Sequence, residues 1–510
     1  MINPSENSKR IAKNTLLLYV RMLFMMLVSL FTSRVVLDAL GEANYGIYNV
    51  VGGIVPMLSI LTSALSSAIS RFITFELGTG NQERLSRIFS TSVNIQFIMA
   101  FLAFVLCEIV GIWFLNEKMN IPAERMEAAR FVLQCSILSF MISLISVPYN
   151  AIIVAHERMT AFAYIGIFEA VLKLIVAYFI YISPIDTLKL YALLLVLVSV
   201  ILRIIYGVYC YQRFEEARYH FILDCSLLKE MFAFSGWNFI GSSSAMLRDQ
   251  GGNIIINLFF GPSVNAARGI AAQVSAAVTI FVANFMTAIN PQITKSYAKG
   301  DLKYLMFLLF QSSRLSYYIL LLLSLPIIIE TDYILHLWLK EVPEHTVLFV
   351  RLVLLFALSE SLSSPLITAM LATGKIRDYQ LVVGGVQMLN LPVSYYLLRI
   401  GMIPESVVVV AIIFSQCCLV ARLVMLKKMI GLQVRAYLWK IWLNVILISC
   451  ISVIPPLLLS FSINKTFFSF VYFTLTCFVS TIITVMFIGC TAEERIWIWG
   501  KVKYICRKLK

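Results

Sequence analysis

The sequence has few charged residues for its length. Asp, Glu, Lys and Arg make up 13% of the 510 residues, whereas 60% are hydrophobic. A soluble globular chain carries about 25% charged residues, so the composition excludes that class. The segments between the apolar runs are also too short to form a separate soluble domain. We therefore predict a polytopic membrane protein whose chemistry takes place inside the bilayer.

Residues that bind metals or carry redox chemistry are also scarce. The ten cysteines are scattered singly apart from Cys417 and Cys418, and none shows the spacing of a metal or redox site. The four histidines fall in or near loops and form no cluster in the sequence: His156, His220, His336 and His345. We expect no metal site and no cofactor.

What is abundant is long apolar runs. Runs of 18 or more mainly apolar residues recur along the whole chain and are typical of membrane-spanning helices. The first run is too long for a signal peptide and no cleavage site closes it, so we predict a first transmembrane helix there. Fourteen helices are predicted, over 14–38, 45–70, 88–115, 128–153, 161–182, 188–211, 233–260, 264–290, 304–329, 346–371, 379–400, 405–427, 437–460 and 466–490.

The loop charges predict the orientation. Most loop lysines and arginines fall on alternate segments, whereas the opposite loops carry only Lys118, Arg125, Lys189, Lys340, Arg399 and Lys465. Because positive residues stay on the cytoplasmic side, both termini are predicted to be cytoplasmic. The basic tail 495–510, with tryptophans among its lysines, is predicted to lie on anionic membrane lipid. We expect no nucleic-acid partner.

The two halves of the chain resemble each other. Ala68, Ile73 and Gly80 recur at an offset of 220 as Ala288, Ile293 and Gly300, each time leading from a helix into a basic loop. Further matches at offsets of 217 and 219 pair Pro148 with Pro365, Ala155 with Ala372, Arg158 with Lys375 and Arg203 with Arg422. Six helices separate the copies, and an even number predicts parallel repeats. We predict two six-helix lobes, 1–215 and 216–435, followed by two helices and a basic tail in 436–510.

A polar stretch, 242–253, lies in the middle of the predicted helix 233–260. Arg248 and Asp249 would each cost about 2.5–3.5 kcal/mol in lipid, so they must face protein or water. Helical spacing places one polar stripe along Asn238, Ser242, Ala245, Asp249, Asn253 and Asn257, and we predict that it lines a cavity. Arg248 shares a different face with small residues that let a neighbouring helix approach, namely Gly241, Ser244, Gly251 and Gly252. The alternative is a buried pair of Arg248 and Asp249 that only fixes helix register.

Other charged residues also lie inside predicted helices. The cations are Arg21, Arg34, Lys173, Arg268 and Arg314, and the acids besides Asp249 are Glu169 and Glu360. Two combinations, Arg34 with Asp38 and Lys173 with Glu169, have the i,i+4 spacing of ion pairs. Each of these groups is therefore either a ligand-binding residue or one half of a structural pair.

The stretch 248–262, RDQGGNIIINLFFGP, and its continuation VNAARGIAAQ over 264–273 resemble bacterial polysaccharide flippases of the O-antigen and capsule type. These belong to the multidrug/oligosaccharidyl-lipid/polysaccharide (MOP) exporter superfamily, whose other members include multidrug (MATE) exporters. The resemblance covers the full length, through the number of helices and their division into two lobes and two further helices. It implies transport of an undecaprenyl-pyrophosphate-linked oligosaccharide across the bacterial inner membrane by alternating access, without enzymatic chemistry.

The resemblance gives the charged residues expected roles. The lipid pyrophosphate needs cationic donors and polar side chains, for which the candidates are Arg248, Arg21, Arg34, Lys173, Arg268, Arg314, Asn253 and Asn257. The candidates for coupling to H⁺ or Na⁺ are Asp249, Glu169 and Glu360. Association with polysaccharide polymerase machinery is a further expectation. Two alternatives stay open: an ion-coupled multidrug or other lipid exporter of the same superfamily, and a membrane-embedded polysaccharide polymerase or ligase.

Overall fold

The protein is almost entirely helical. The computed structural model describes residues 4–54, 59–117, 122–184, 186–222, 224–339, 342–460, 467–490 and 494–495, and these contain no β-strand. The helices are α1 (Pro4–Ile54), α2 (Ser59–Thr79), α3 (Gln82–Glu117), α4 (Met126–Ala155), α5 (Met159–Ile182), α6 (Thr187–Arg213), α7 (Cys225–Phe260), α8 (Pro262–Ala298), α9 (Leu302–Ile329), α10 (Thr331–Trp338), α11 (Thr346–Ala372), α12 (Arg377–Met388), α13 (Asn390–Arg399), α14 (Ser406–Ile430), α15 (Val434–Tyr437), α16 (Leu443–Ser460) and α17 (Phe467–Thr484). One π-helical turn joins α15 to α16, and another, Val485–Gly489, follows α17.

Twelve of the fourteen predicted membrane-spanning helices have a counterpart in the described chain that is long and apolar enough to cross a membrane, and the predicted helices 45–70 and 233–260 do not. Twelve helical segments of the described chain are long and apolar enough to cross a membrane, with α12 and α13 counted as one segment. The two other long helices, α2 and α7, are richer in polar residues and fall outside that group. The prediction of an all-α, multi-pass membrane protein is confirmed.

The predicted gap between the first two helices is a kink. α1 continues through it and leaves the helical conformation at Gly41, where φ is +74°. Glycine adopts this conformation without the steric penalty of a Cβ, so the chain turns at one residue. The helix predicted over 45–70 is divided between the end of α1 and α2, and residues 55–58 lie outside the described chain.

The repeat is visible in matching loop geometry. Gly80 and Gly300 have φ values of +80° and +71° and follow the ends of α2 and α8. The next residues, Asn81 and Asp301, each accept a bond at 3.0 Å from the backbone N–H three residues on, and so cap α3 and α9. The same local structure therefore occurs twice, at an offset of 220: a helix ends, a glycine with positive φ follows, and the next helix begins at a capping residue.

Matching side-chain pairs occur at the opposite ends of the helices. Arg125 Nη1 lies 3.0 Å from Asp186 Oδ2, linking the start of α4 to the start of α6. In the second copy, His345 corresponds to Arg125 at an offset of 220 and Glu405 corresponds to Asp186 at an offset of 219. His345 Nδ1 lies 2.7 Å from Glu405 Oε1 and links α11 to α14. The two copies therefore use different residues to make the same connection.

The chain forms two compact units. Unit 1 contains Met1–Ser242 and Thr287–Gly300, and unit 2 contains Ser243–Met286 and Asp301–Lys510. Each of α7 and α8 thus contributes one part to each unit. These units follow contacts in space, whereas the lobe boundaries at 215 and 435 come from the sequence repeat and stay predictions.

Candidate functional site

In unit 2, α7 packs closely against its neighbours through small residues. A Cβ on Gly251 would collide with the Leu391 side chain of α13, and one on Gly384 of α12 would lie 3.0 Å from Ser244 Oγ. Ser244 is fully buried. Only small side chains permit this approach, which confirms the predicted packing role of Ser244 and Gly251.

Arg248 and Asp249 form a bidentate ion pair in the middle of α7. Arg248 Nε and Nη2 lie 2.9 and 3.2 Å from the two Asp249 carboxylate oxygens. Adjacent helical positions point about 100° apart, and the pair forms because the long arginine side chain bends toward its neighbour. The Arg248 side chain is only 13% exposed and stacks on Phe356, whereas that of Asp249 is 59% exposed.

Arg268 of α8 adds a second cation beside Asp249. Its Nη2 donates to the Asp249 backbone carbonyl at 3.2 Å, while its Nη1 is buried without a hydrogen-bond partner among the described residues. The guanidinium lies against Gly252, where a Cβ would be 2.5 Å from Nη1. The glycine therefore makes room for the arginine. Two guanidinium groups and one carboxylate give this cluster a net positive charge.

The rest of the predicted polar stripe divides between the two units. Asn238 is buried and, like Ser242, belongs to unit 1. In unit 2, Asn253 is half-buried and donates to Gln250 at 3.1 Å, and Asn257 is exposed. The predicted contacts of Asn253 and Asn257 with a substrate stay predictions.

Glu360 of α11 belongs to a second polar group in unit 2. Its Oε1 accepts a bond from Ser415 of α14 at 2.7 Å, and it interacts electrostatically with Arg248 and Arg422. Arg422 is 1% exposed and hydrogen-bonds Tyr379, but its Nε and Nη1 have no partner among the described residues. A buried guanidinium with so few bonds depends on the nearby carboxylate. In the sequence Arg422 stands out only as the repeat partner of Arg203.

Unit 1 contains its own group of charged residues on α1 and α5. Arg21 stacks on the Phe162 ring at 4.2 Å, lies against Gly166 and interacts electrostatically with Glu169. The predicted ion pair of Lys173 with Glu169 is confirmed, with 2.6 Å between Nζ and Oε1. The Arg21 Nε is buried without a hydrogen-bond partner in the described part of the chain.

Two predicted ligand-binding cations lie apart from these groups. Arg314 donates to the Gly489 carbonyl at 2.9 Å and to the Glu494 carboxylate at 2.7 Å, so it fastens α9 to the segment after α17. Arg34 is exposed, and no ion pair with Asp38 is present among the described side chains. The predicted roles of Arg34 and Arg314 in substrate binding stay predictions.

A small substitution at Gly252 tests the position of Arg268. In Gly252→Ala the new methyl group would displace the guanidinium of a flexible side chain, so we expect near-normal protein abundance and a large loss of the transport that the sequence predicts. Gly236→Ala in the same helix is the matched control, because a Cβ there meets no atom within 4 Å. Transport and membrane abundance are measured for both variants. Equal transport by the two would show that the position of Arg268 does not matter.

The arrangement of helices defines a class of fold, that of MATE transporters. The structure is similar to an outward-facing multidrug resistance MATE family transporter of the MOP superfamily, with TM-score 0.72, 12% identity, and coverage of 83% of this chain and 96% of that one. It is also similar to a MATE protein in a bent conformation (TM-score 0.73, 14% identity, coverage 83% and 96%). A third similar structure is a MOP superfamily transporter from Pyrococcus furiosus, with TM-score 0.69, 13% identity, and coverage of 82% of this chain and 96% of that one.

The family follows from the sequence comparison. Residues 11–297 match the polysaccharide biosynthesis protein family, and the chain belongs to it. The uncharacterized membrane protein EpsK of Bacillus subtilis (strain 168) is 19% identical over 285 residues, which are 55% of each chain. The match thus spans about half the length of this curated relative. The predicted resemblance is thus confirmed at the level of the family and of the fold.

Proposed function

We propose that the protein is a flippase that moves undecaprenyl-pyrophosphate-linked oligosaccharide units across the bacterial inner membrane by alternating access. The observation that carries the proposal is the cluster of Arg248, Asp249 and Arg268 in the middle of α7 and near the start of α8. Asp249 is well exposed there, although lipid is a costly surrounding for an acid. The cluster is therefore suited to face a water-filled path.

The charge of the cluster suits an anionic substrate. Guanidinium groups bind phosphate oxygens in a bidentate manner, and such contacts are strong where water is excluded. Asp249 holds Arg248 through Nε and Nη2, which leaves Arg248 Nη1 to donate to a pyrophosphate, and Arg268 Nη1, which has no partner within the described chain, can donate as well. Membership in the polysaccharide biosynthesis protein family supports an oligosaccharide as the group attached to it.

The acidic groups are our candidates for ion coupling. Asp249 contacts Arg248, Glu360 contacts Ser415 and Glu169 contacts Lys173, so each acid lies beside a group that responds to its charge. We propose that one of them binds the H⁺ or Na⁺ that drives transport. Protonation would weaken the ion pairs of Asp249 and Glu169.

An ion-coupled exporter of multidrug type is the second candidate, because the similar solved structures include MATE transporters. The charges of α1 favour the flippase. α1 carries Arg21, which stacks on Phe162, together with the exposed Arg34. Drug exporters of the superfamily that the sequence resembles often carry an acid deep in the first helix, whereas the acid of the predicted first helix 14–38, Asp38, lies at its outer end.

The third candidate, a polymerase or ligase, has less support. Such enzymes usually carry a large extracytoplasmic loop or a reactive acidic motif within it. The longest predicted outer segment, 330–345, is short, and half of it is occupied by α10, Thr331–Trp338. We therefore propose transport without enzymatic chemistry.

Surface polysaccharide measures the proposed activity. In cells that lack the gene, the lipid-linked oligosaccharide should accumulate on the cytoplasmic side and surface polymer should disappear, and the wild-type chain should restore both. Unchanged polymer together with loss of efflux of cationic drugs would instead support the exporter.

The proposed orientation predicts a labelling pattern. Lys299 lies in the exposed turn after α8, which the positive-inside rule places in the cytoplasm. In a background without native cysteines, Lys299→Cys should not react with an impermeant maleimide added to intact cells. Lys189→Cys, on the predicted outer side, is the matched control and should react. The reverse pattern would invert the proposed topology.

A further inference from the structure

Glu157, in the turn between α4 and α5, has an unusual backbone conformation. Its φ is +58°, and His345 is the other described non-glycine residue with positive φ. At the repeat offset of 217 the second copy has Gly374, with φ +74°. A left-handed conformation costs a non-glycine residue about 1–2 kcal/mol. Glutamate at this position needs compensating interactions.

The Glu157 side chain supplies them. The side chain is 2% exposed, and its two carboxylate oxygens contact Arg10 Nε at 2.8 Å, Lys295 Nζ at 2.9 Å and Gln292 Nε2 at 2.5 Å. Its backbone carbonyl accepts a bond from Asn14 Nδ2 at 3.4 Å. One residue thus holds the start of α1 and the end of α8 against the α4–α5 turn. All of these residues belong to unit 1.

The segment of α8 that Glu157 holds is set apart from the rest of that helix. The change from unit 2 to unit 1 falls between Met286 and Thr287. Pro291 follows four residues after Thr287, and since proline has no N–H, the helical bond to the Thr287 carbonyl is missing there. The helix is therefore weakened next to the point where it passes from one unit to the other.

The end of α8 has further contacts within unit 1. Ala288 packs with Leu18 and Met159, and Ala298 lies so close to Gly78 that a Cβ on the glycine would be 2.7 Å away. These contacts are apolar and therefore non-directional. They restrict the orientation of the segment less than the charged hydrogen bonds do. The Glu157 carboxylate adds a polar link that joins α8 to α1.

We propose that Glu157 is a latch for transport: its bonds to Arg10, Gln292 and Lys295 hold the ends of α1 and α8 in this conformation, and they must break and re-form in each transport cycle. This rests on the proposed alternating-access function. The strained backbone and the weakened helix at Pro291 fit a contact that can release. In the second copy, Gly374 needs no such compensation and cannot make such bonds.

Hydrogen–deuterium exchange on the full-length protein tests the latch without substrate. Glu157→Gln and Glu157→Gly should accelerate exchange on the order of tenfold in peptides covering 10–18 and 287–298. Glu157→Gly also removes the backbone strain. The matched control is Glu216→Gln, which removes the charge of the buried carboxylate that contacts the neighbouring His156 (2.5 Å) but leaves the latch intact, so exchange in both segments should stay at the wild-type rate.

If the single variants are scarce, Glu157→Gln combined with Lys295→Met removes one charge of each sign and should restore abundance while exchange stays fast. Export of polysaccharide should fall in the latch variants at normal abundance. Unchanged exchange in both segments, or fast exchange with wild-type export, would overturn the proposal. If the wild-type chain itself exports no polysaccharide, the proposed function fails, whereas the exchange result still decides whether the contact holds the two helices.

Discussion

Arg248→Ala is expected to abolish most transport while the protein remains folded and abundant in the membrane. The substitution removes the guanidinium fork that we assign to the pyrophosphate, and the loss of such charged bonds amounts to about 2–3 kcal/mol, on the order of a hundredfold in rate. Arg248→Lys keeps the charge but loses the bidentate geometry, so transport should be intermediate. Complementation of surface polysaccharide, with abundance controls, gives the order.

Asp249→Asn tests whether Asp249 orients the Arg248 side chain or binds the coupling ion. Asp249 is 59% exposed, so the variant should fold although Arg248 loses its ionic partner. If Asp249 binds the coupling ion, transport by the variant should depend much less on the ion gradient. The affinity of the protein for the lipid carrier should change less. Full polysaccharide production by Arg248→Ala at normal abundance would contradict the assignment of Arg248. Arg268, Lys173 and Arg34 would then be the next candidates.

Arg422→Met is expected to make the protein scarce. Arg422 is fully buried in α14 and interacts electrostatically with Glu360, so its removal leaves Glu360 with one cation fewer in a buried group. Removing a charged hydrogen-bond partner from a buried group costs about 1–3 kcal/mol, which is a sizeable share of the stability of most folded proteins. Membrane abundance and thermal stability in detergent measure the effect.

The double variant Arg422→Met with Glu360→Gln checks the cause. A neutral pair carries no unpaired charge, so the double variant should be more stable than Arg422→Met alone. Glu360→Gln keeps an oxygen that can accept the bond from Ser415. An equally scarce double variant would mean that Arg422 acts through its packing or through Tyr379 and not through Glu360.

The fold was predictable because its signal is local and periodic. Apolar runs locate the helices, and matching residues such as Gly80 and Gly300 reveal the repeat since both end a helix in the left-handed conformation. The close packing of α7 was predictable from its small residues. The i,i+4 spacing likewise identified the pair of Lys173 with Glu169.

The remaining contacts depend on residues far apart in the sequence. Glu157 looks like an ordinary loop residue, and only the fold brings Arg10 and Lys295 to it. For the same reason the contact of His345 with Glu405, and that of Arg314 with Glu494, leave no periodic signal. That Arg248 and Asp249 avoid lipid stays a prediction, whereas the ion pair between them, which the sequence left open as the alternative, is present.

Transport in reconstituted vesicles tests the central claim most directly. The purified full-length chain is placed in liposomes that contain undecaprenyl-pyrophosphate-linked oligosaccharide, and the fraction accessible to an impermeant sugar-modifying reagent is followed over time. We expect the wild-type chain to move the lipid-linked oligosaccharide between leaflets, Arg248→Lys to do so more slowly, and Arg248→Ala to match protein-free vesicles. Movement at the protein-free rate by the folded wild-type chain, under both H⁺ and Na⁺ gradients, would contradict the account.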